Sequence, residues 1–210
     1  MVHLTTTRYG RIGLPRMRGV TLIELLITVA VLAIILAIGV PPMQGFIASS
    51  RVRGATQDLY SALQTARIEA IRRGVRITVC KANASLSNCD NAGQWHAGWI
   101  LFVDRTPGSA PSVDSTDTIL LTQPAFAPDI RILGNGGTTG TATYVSFAPD
   151  GTSRQLNGAP LAGTLRVCST SSALANGNRA RDIVLNIAGR VAVSSVASAD
   201  PTCPAPTSTS

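Results

Sequence analysis

The chain has 210 residues, a net charge of +7 and a pI near 10.1, with 45% hydrophobic and only 14% charged residues. That apolar content excludes a chain disordered throughout, and 17 arginines against a single lysine, Lys81, exclude a Lys-rich, histone-like tail. A basic pI points first to nucleic acid or an anionic membrane surface, so the placement of the arginines becomes the question.

Residues 1–19 carry Arg8, Arg11, Arg16 and Arg18 and no acid. From Leu25 to Val40 no residue is charged, and the 21 residues from Val20 to Val40 hold one charge, Glu24. As a helix that segment spans about 31 Å, one bilayer hydrocarbon core. The basic flank predicts a cytoplasmic amino end. The chain then reads as a single-pass membrane protein with its carboxy-terminal part on the far side of the membrane. Three readings compete: a cleavable secretory signal with Ala37-Ile38-Gly39 as a small-x-small site, a plain anchor, or a prepilin. Glu24 separates them, because a carboxylate in an apolar helix is costly and calls for a partner and a function.

The run Arg16-Met17-Arg18-Gly19-Val20-Thr21-Leu22-Ile23-Glu24 resembles the type IV prepilin cleavage motif. Val20 stands where Phe is usual, and Pro41 matches a proline of the mature family chains. The resemblance implies that a prepilin peptidase cuts after Gly19 and N-methylates Val20, while the apolar helix stays on the protein. It also implies that Glu24 pairs with the terminal amine of a neighbouring subunit, so that other pilins are partners through this helix.

Pro41-Pro42 predicts a kink. Beyond it Val52, Ala55, Leu59, Ala62, Leu63, Ala66 and Ala70 recur at helical spacing, one apolar face. Arg51, Arg53, Arg67, Arg72 and Arg73 read as a solvated basic face near anionic lipid. Arg72-Arg73-Gly74 reads as a stop, cations in the last turn followed by a glycine cap.

From Val75 the pattern is strand-like. Expected strands are 75–80, 99–103, 118–122, 130–133, 144–147, 164–168, 182–187 and 190–193, with Ala188-Gly189 as a tight hairpin turn. The fold class is α+β, a long amino-terminal helix packed on an antiparallel β-sandwich. The expected organisation is a leader at 1–19, a membrane and assembly helix at 20–40, its amphipathic continuation at 41–74, a β-rich domain at 75–194, and a Pro/Ser/Thr tail at 195–210. This half resembles minor pseudopilins of the H type (GspH) in type II secretion and of the FimT type in type IV pili. The residues carrying the likeness are Ala66-Arg67-Ile68-Glu69-Ala70 with Arg73-Gly74, Gly98-Trp99-Ile100-Leu101-Phe102 with Asp104, Phe147 with Gly151, and Ile183-Val184-Leu185 with Gly189-Arg190-Val191. A pilin-like fold, a role in fibre assembly, and a place in the bacterial inner membrane with the carboxy-terminal part in the periplasm are what it implies.

Cys80, Cys89, Cys168 and Cys203 all follow the apolar segment, and an even count in an exported domain suggests disulfides. Three pairings are open. Cys80–Cys89 with Cys168–Cys203 is favoured because each closes a polar, turn-rich segment and the second would tie down the tail. No C-x-x-C spacing indicates a metal, and no cofactor is implied. An enzyme is not expected: His96 is the one histidine outside the leader and no nucleophile motif accompanies it. Gly134-Asn135-Gly136 lacks the third glycine of a dinucleotide loop, and Asp114 and Asp117 lack metal-ligand spacing.

Arg179, Arg181 and Arg190 flank the last hairpin and form a candidate DNA-binding set. FimT-like proteins carry Gly-Arg-x-Arg there, contacting DNA during uptake; here Gly189-Arg190-Val191 is followed by Ala192, so the second Arg is absent. Arg179 and Arg181 would partly replace it, since non-specific binding needs phosphate contacts rather than one exact residue. The expected function is thus a minor pilin or pseudopilin, with a DNA-uptake pilin as the alternative.

Overall fold

A computed structural model describes residues 19–136 and 140–207, with the side chains of Ile38, Val40, Pro41 and Pro42 outside the described set. Arg8, Arg11, Arg16 and Arg18, and the proline rings on which the expected kink rests, lie outside the described residues. The chain divides at Val40–Pro41 into two compact units. Helix α1, Leu22–Arg73, contributes residues to both.

In the first unit every described side chain from Val20 to Ala37 is exposed. A helix apolar on all sides finds nothing within its own unit to bury against. Among the described residues no helix is long and apolar enough to cross a membrane. The uncharged run of the sequence continues to Val40, beyond the described side chains.

In the second unit the helix has a single buried stripe: Ala48, Val52, Ala55, Leu59, Ala62, Leu63, Ala66 and Ala70. Most of these are small, which lets a helix backbone approach a sheet closely. The helix ends as read from the sequence. The Gly74 amide donates to Ala70 O, and Gly74 takes φ +63°, a left-handed cap that favours glycine.

Eight strands follow: β1 Ile77–Lys81, β2 Gly98–Val103, β3 Thr118–Pro124, β4 Ile130–Gly134, β5 Tyr144–Phe147, β6 Gly163–Ser169, β7 Ala180–Leu185 and β8 Val191–Ser195. They make two antiparallel sheets, ordered β3-β2-β1-β5 and β4-β6-β7-β8. β1 and β2 are buried along their whole length, which is why Gly98–Val103 reads as a continuous apolar run rather than an alternation. One core joins the α1 stripe to side chains from both sheets, with Trp95, Trp99, Phe102 and Phe147 as its largest members.

Ala188-Gly189 is less tight than expected. β7 stops at Leu185, and Asn186–Arg190 form a longer turn closed by the Asn186 and Arg190 backbones. Asn186 accounts for the shift, since its side-chain carbonyl accepts the Arg190 amide at 2.9 Å and takes the place of a ladder bond.

Candidate functional site

At the amino terminus Thr21 precedes α1 and Glu24 sits in its first turn. The Glu24 amide donates to Thr21 Oγ1 at 3.3 Å, and the Thr21 amide donates to Glu24 Oε2 at 3.4 Å. This reciprocal pair is a capping box, satisfying two helix-end donors that otherwise lack partners. The resemblance to prepilins implies an assembly role for Glu24 but not this local one, whose signature is Thr-x-x-Glu before an apolar run. Among the described residues no atom crowds Gly19, and Val20 is exposed.

The cysteines pair as Cys80–Cys89 and Cys168–Cys203. The first closes the turn after β1. The second fastens the tail to β6, where Arg166 also donates to Pro204 O while pairing with Asp182 through both carboxylate oxygens.

The candidate chemical residues are absorbed by structure. His96 lies in a short 3-10 turn, and its Nδ1 accepts the Ile132 amide at 3.3 Å. Burial and the nearby positive charge of Arg131 hold its pKa below the ordinary value. Asp114 and Asp117 staple their own loop: Asp117 accepts the Arg105 and Asp114 amides, and Asp114 accepts Thr116. Asn135 Oδ1 accepts the Thr164 amide and the Thr141 hydroxyl, locking the Gly134–Gly136 turn. Among the described residues no group of three or more His, Cys, Asp or Glu could hold a metal.

The basic candidates divide. Arg179 is 2% exposed, and its guanidinium donates to the carbonyls of Ser169, Ser171 and Leu174. It cannot reach a phosphate, so the expectation that it contributes to a DNA surface is corrected. Its bonds instead organise the turn between β6 and β7. Arg181 is the second residue of β7 and pairs in register with Ser195, whereas Arg190 precedes β8 at the other end. Five residues of strand, about 17 Å, separate those ends. The three arginines therefore do not form one patch.

The helix face reads differently too. Arg67, assigned from sequence to a solvated face, donates Nε to Gly151 O at 3.0 Å and a second nitrogen to Ala188 O at 3.1 Å. Arg51 pairs with Asp129 at 2.9 Å, and Arg72 and Arg73 both pair with Glu69. Gly151 and Gly189 have φ +76° and +75°. A Cβ on Gly151 would meet Ile71 Cδ1 at 2.6 Å, and one on Gly189 would overlap the Gly151 carbonyl. Two turns thus stack on each other and on the end of α1, with Arg67 bonded to both. Helical periodicity gives no hint of this, because Arg67 acts through carbonyls more than eighty residues away.

Comparison with known proteins bears on this arrangement. The family described as Type II transport protein GspH matches residues 55–189, a span that begins in the buried helix stripe and ends at Gly189. The chain belongs to the GspH family. The prokaryotic N-terminal methylation motif matches residues 14–40, across Gly19, Val20 and Glu24. Among solved structures, the type IV minor pilin FimU of Pseudomonas aeruginosa aligns with a TM-score of 0.51 at 18% identity, covering 73% of this chain and 98% of that one. A second crystal form of the same protein aligns at 0.47 and 20% identity, covering 70% and 98%. No curated protein matches. The fold is that of a pilin, and the GspH span contains Arg67, Gly151 and Gly189, the residues of the stack.

Proposed function

We propose that this GspH-family chain is a minor pilin or pseudopilin subunit of a type II secretion pseudopilus or a type IV pilus, anchored in the inner membrane until it enters the fibre. The carrying observation is the methylation motif across Gly19–Glu24, joined to a pilin-like domain. A prepilin peptidase cuts after Gly19 and methylates Val20. The terminal amine then lies one helical turn from Glu24. A charge left unpaired in apolar surroundings costs several kcal/mol. Pairing Glu24 with a neighbour's amine removes that cost only in the assembled state, which couples leaving the membrane to joining the fibre.

The test is processing. Gly19→Ala is expected to leave the full-length precursor in the membrane fraction, while the native chain yields a mature form beginning with methyl-Val20 by mass spectrometry. A mature chain starting at Val40 would mark a secretory signal instead. DNA uptake has less support: with Arg179 buried, it rests on Arg181 and Arg190 at opposite ends of β8. Loss of a low-salt gel shift in Arg190→Ala would be its signature.

A further inference from the structure

Most arginines of the second unit are spoken for; among the described residues the side chains of Arg53, Arg105 and Arg190 make no hydrogen bond or ion pair, and that of Arg181 makes only a local one. Among the described residues none of the ion pairs involves Arg53 or Arg181. Among the described residues Arg181 donates only to the carbonyl of adjacent Ala180, and the Arg53 side chain has no hydrogen bond or ion pair. Both line one concavity of about 250 Å³ between α1 and the β7–β8 end, together with Thr56, Gln57, Tyr60 and Val193. Two guanidiniums lining one concavity without a carboxylate are a site short of its anion.

The strand beside it is also incomplete. In register, Arg181, Ile183 and Leu185 face Ser195, Val193 and Val191. Ile183, Leu185 and Val191 are buried in the core, so Val193 belongs to the same sheet face by alternation, yet it is 45% exposed. β8 is the last strand of its sheet, and no backbone hydrogen bond from its outer edge occurs among the described residues. Val191–Ser195 contains no charge and no proline, the devices by which free edges usually resist pairing.

We propose that an extended acidic segment of another protein chain docks here, adding a strand to β8, covering Val193 and setting carboxylates against Arg53 and Arg181. Main-chain bonds supply affinity in such strand addition, and side-chain pockets supply specificity. A nucleic-acid backbone would leave the valine and the strand edge unused, and it favours a row of cations rather than one pair. The proposal is independent of processing at Gly19, which the Gly19→Ala fractionation tests separately.

The experiment uses the full chain in detergent micelles and follows fluorescence anisotropy. The probe is a fluorescein-labelled peptide of alternating Asp and Val; the comparison probes are a Lys–Val peptide and a single-stranded oligonucleotide. Saturable binding of the acidic peptide is expected, weakening as salt rises. It should fall roughly tenfold in Arg53→Gln/Arg181→Gln. It should fall similarly in Val193→Asp, which sets like charge on the edge, with circular dichroism unchanged in both variants. No binding, equal binding of the Lys–Val peptide, or indifference to both variants would overturn the proposal. So would an oligonucleotide that displaces the peptide and shows the same sensitivity to the variants, since it would assign the groove to nucleic acid.

Discussion

Glu24 has two partners in prospect, and they can be separated chemically. The Thr21–Glu24 box needs a side-chain acceptor, which Gln supplies as well as Glu; pairing with a neighbour's amine needs a negative charge. Glu24→Gln is therefore expected to keep the helix start and Gly19 cleavage but to lose assembly, measured as sheared fibre or crosslinked oligomer. Glu24→Ala should lose both assembly and the cap, the latter worth about 1 kcal/mol. Full assembly by the Gln variant would reduce Glu24 to a capping residue. His96 makes a second residue-scale prediction. Its folded pKa lies below the ordinary value because burial and Arg131 disfavour the imidazolium. The unfolded chain thus takes up the proton first, and stability is expected to fall as pH drops through about 6.5. Protonation at Nδ1 would also break the bond from the Ile132 amide. In thermal melts between pH 7.5 and about 5.5, His96→Gln should be less sensitive to pH than the native chain.

Glycines reveal how the elements meet. Gly189 combines φ +75° with backbone contact to Gly151, Gly158 has φ +88° in open space, and helical Gly54 has ordinary φ with nothing near its would-be Cβ. The three Ala variants should therefore rank by mechanism. Gly189→Ala is expected to cost more than about 2 kcal/mol, from strain plus displacement of the Gly151 turn. Gly158→Ala should cost about 1–2 kcal/mol from strain alone. Gly54→Ala should gain about 0.5–1 kcal/mol, since alanine favours the helix and restricts the unfolded chain. Urea midpoints check the order, and a Gly189→Ala cost no greater than that of Gly158→Ala would remove the stacked turns as a structural unit. Strand positions were readable at this scale because β-branched runs sit between turn residues. The Asn186–Arg190 turn was misjudged because one amide side chain competes with the ladder.

For the molecule as a whole, the charge separates into parts with different fates. Four arginines in the leader would leave on processing, and 14 basic residues against 11 acids would remain, a net charge of +3. Several of the arginines that stay are bound internally to carboxylates or carbonyls, so global pI says little about partners. The tail is held in the fold by distant links: Cys168–Cys203, Arg166 to Pro204 O, and the Ala199 amide to Asn176 O. Because the Cys168–Cys203 separation is 35 residues and the Cys80–Cys89 separation is 9, loop entropy predicts unequal losses. Replacing Cys168 and Cys203 together by Ser should cost about 3–4 kcal/mol, and replacing Cys80 and Cys89 together about 2–3 kcal/mol. Denaturant titration measures both, and limited proteolysis should cut first near residue 200 in the former variant.

The cleavage motif, the helix stripe and its glycine stop, the strand succession and the α+β class all follow from local pattern. Each depends on side-chain spacing along one segment, which the order of residues records directly. The fate of the arginines does not. Arg67 bonded to two distant turns, Arg179 buried among three carbonyls, Arg51 against Asp129, and Arg53 lining the same groove as Arg181 all depend on segments far apart in the chain. A guanidinium looks the same in sequence whether it meets water, a carboxylate or a backbone carbonyl. Only packing brings those acceptors within hydrogen-bond reach, and packing therefore decides which cations remain free to bind something else.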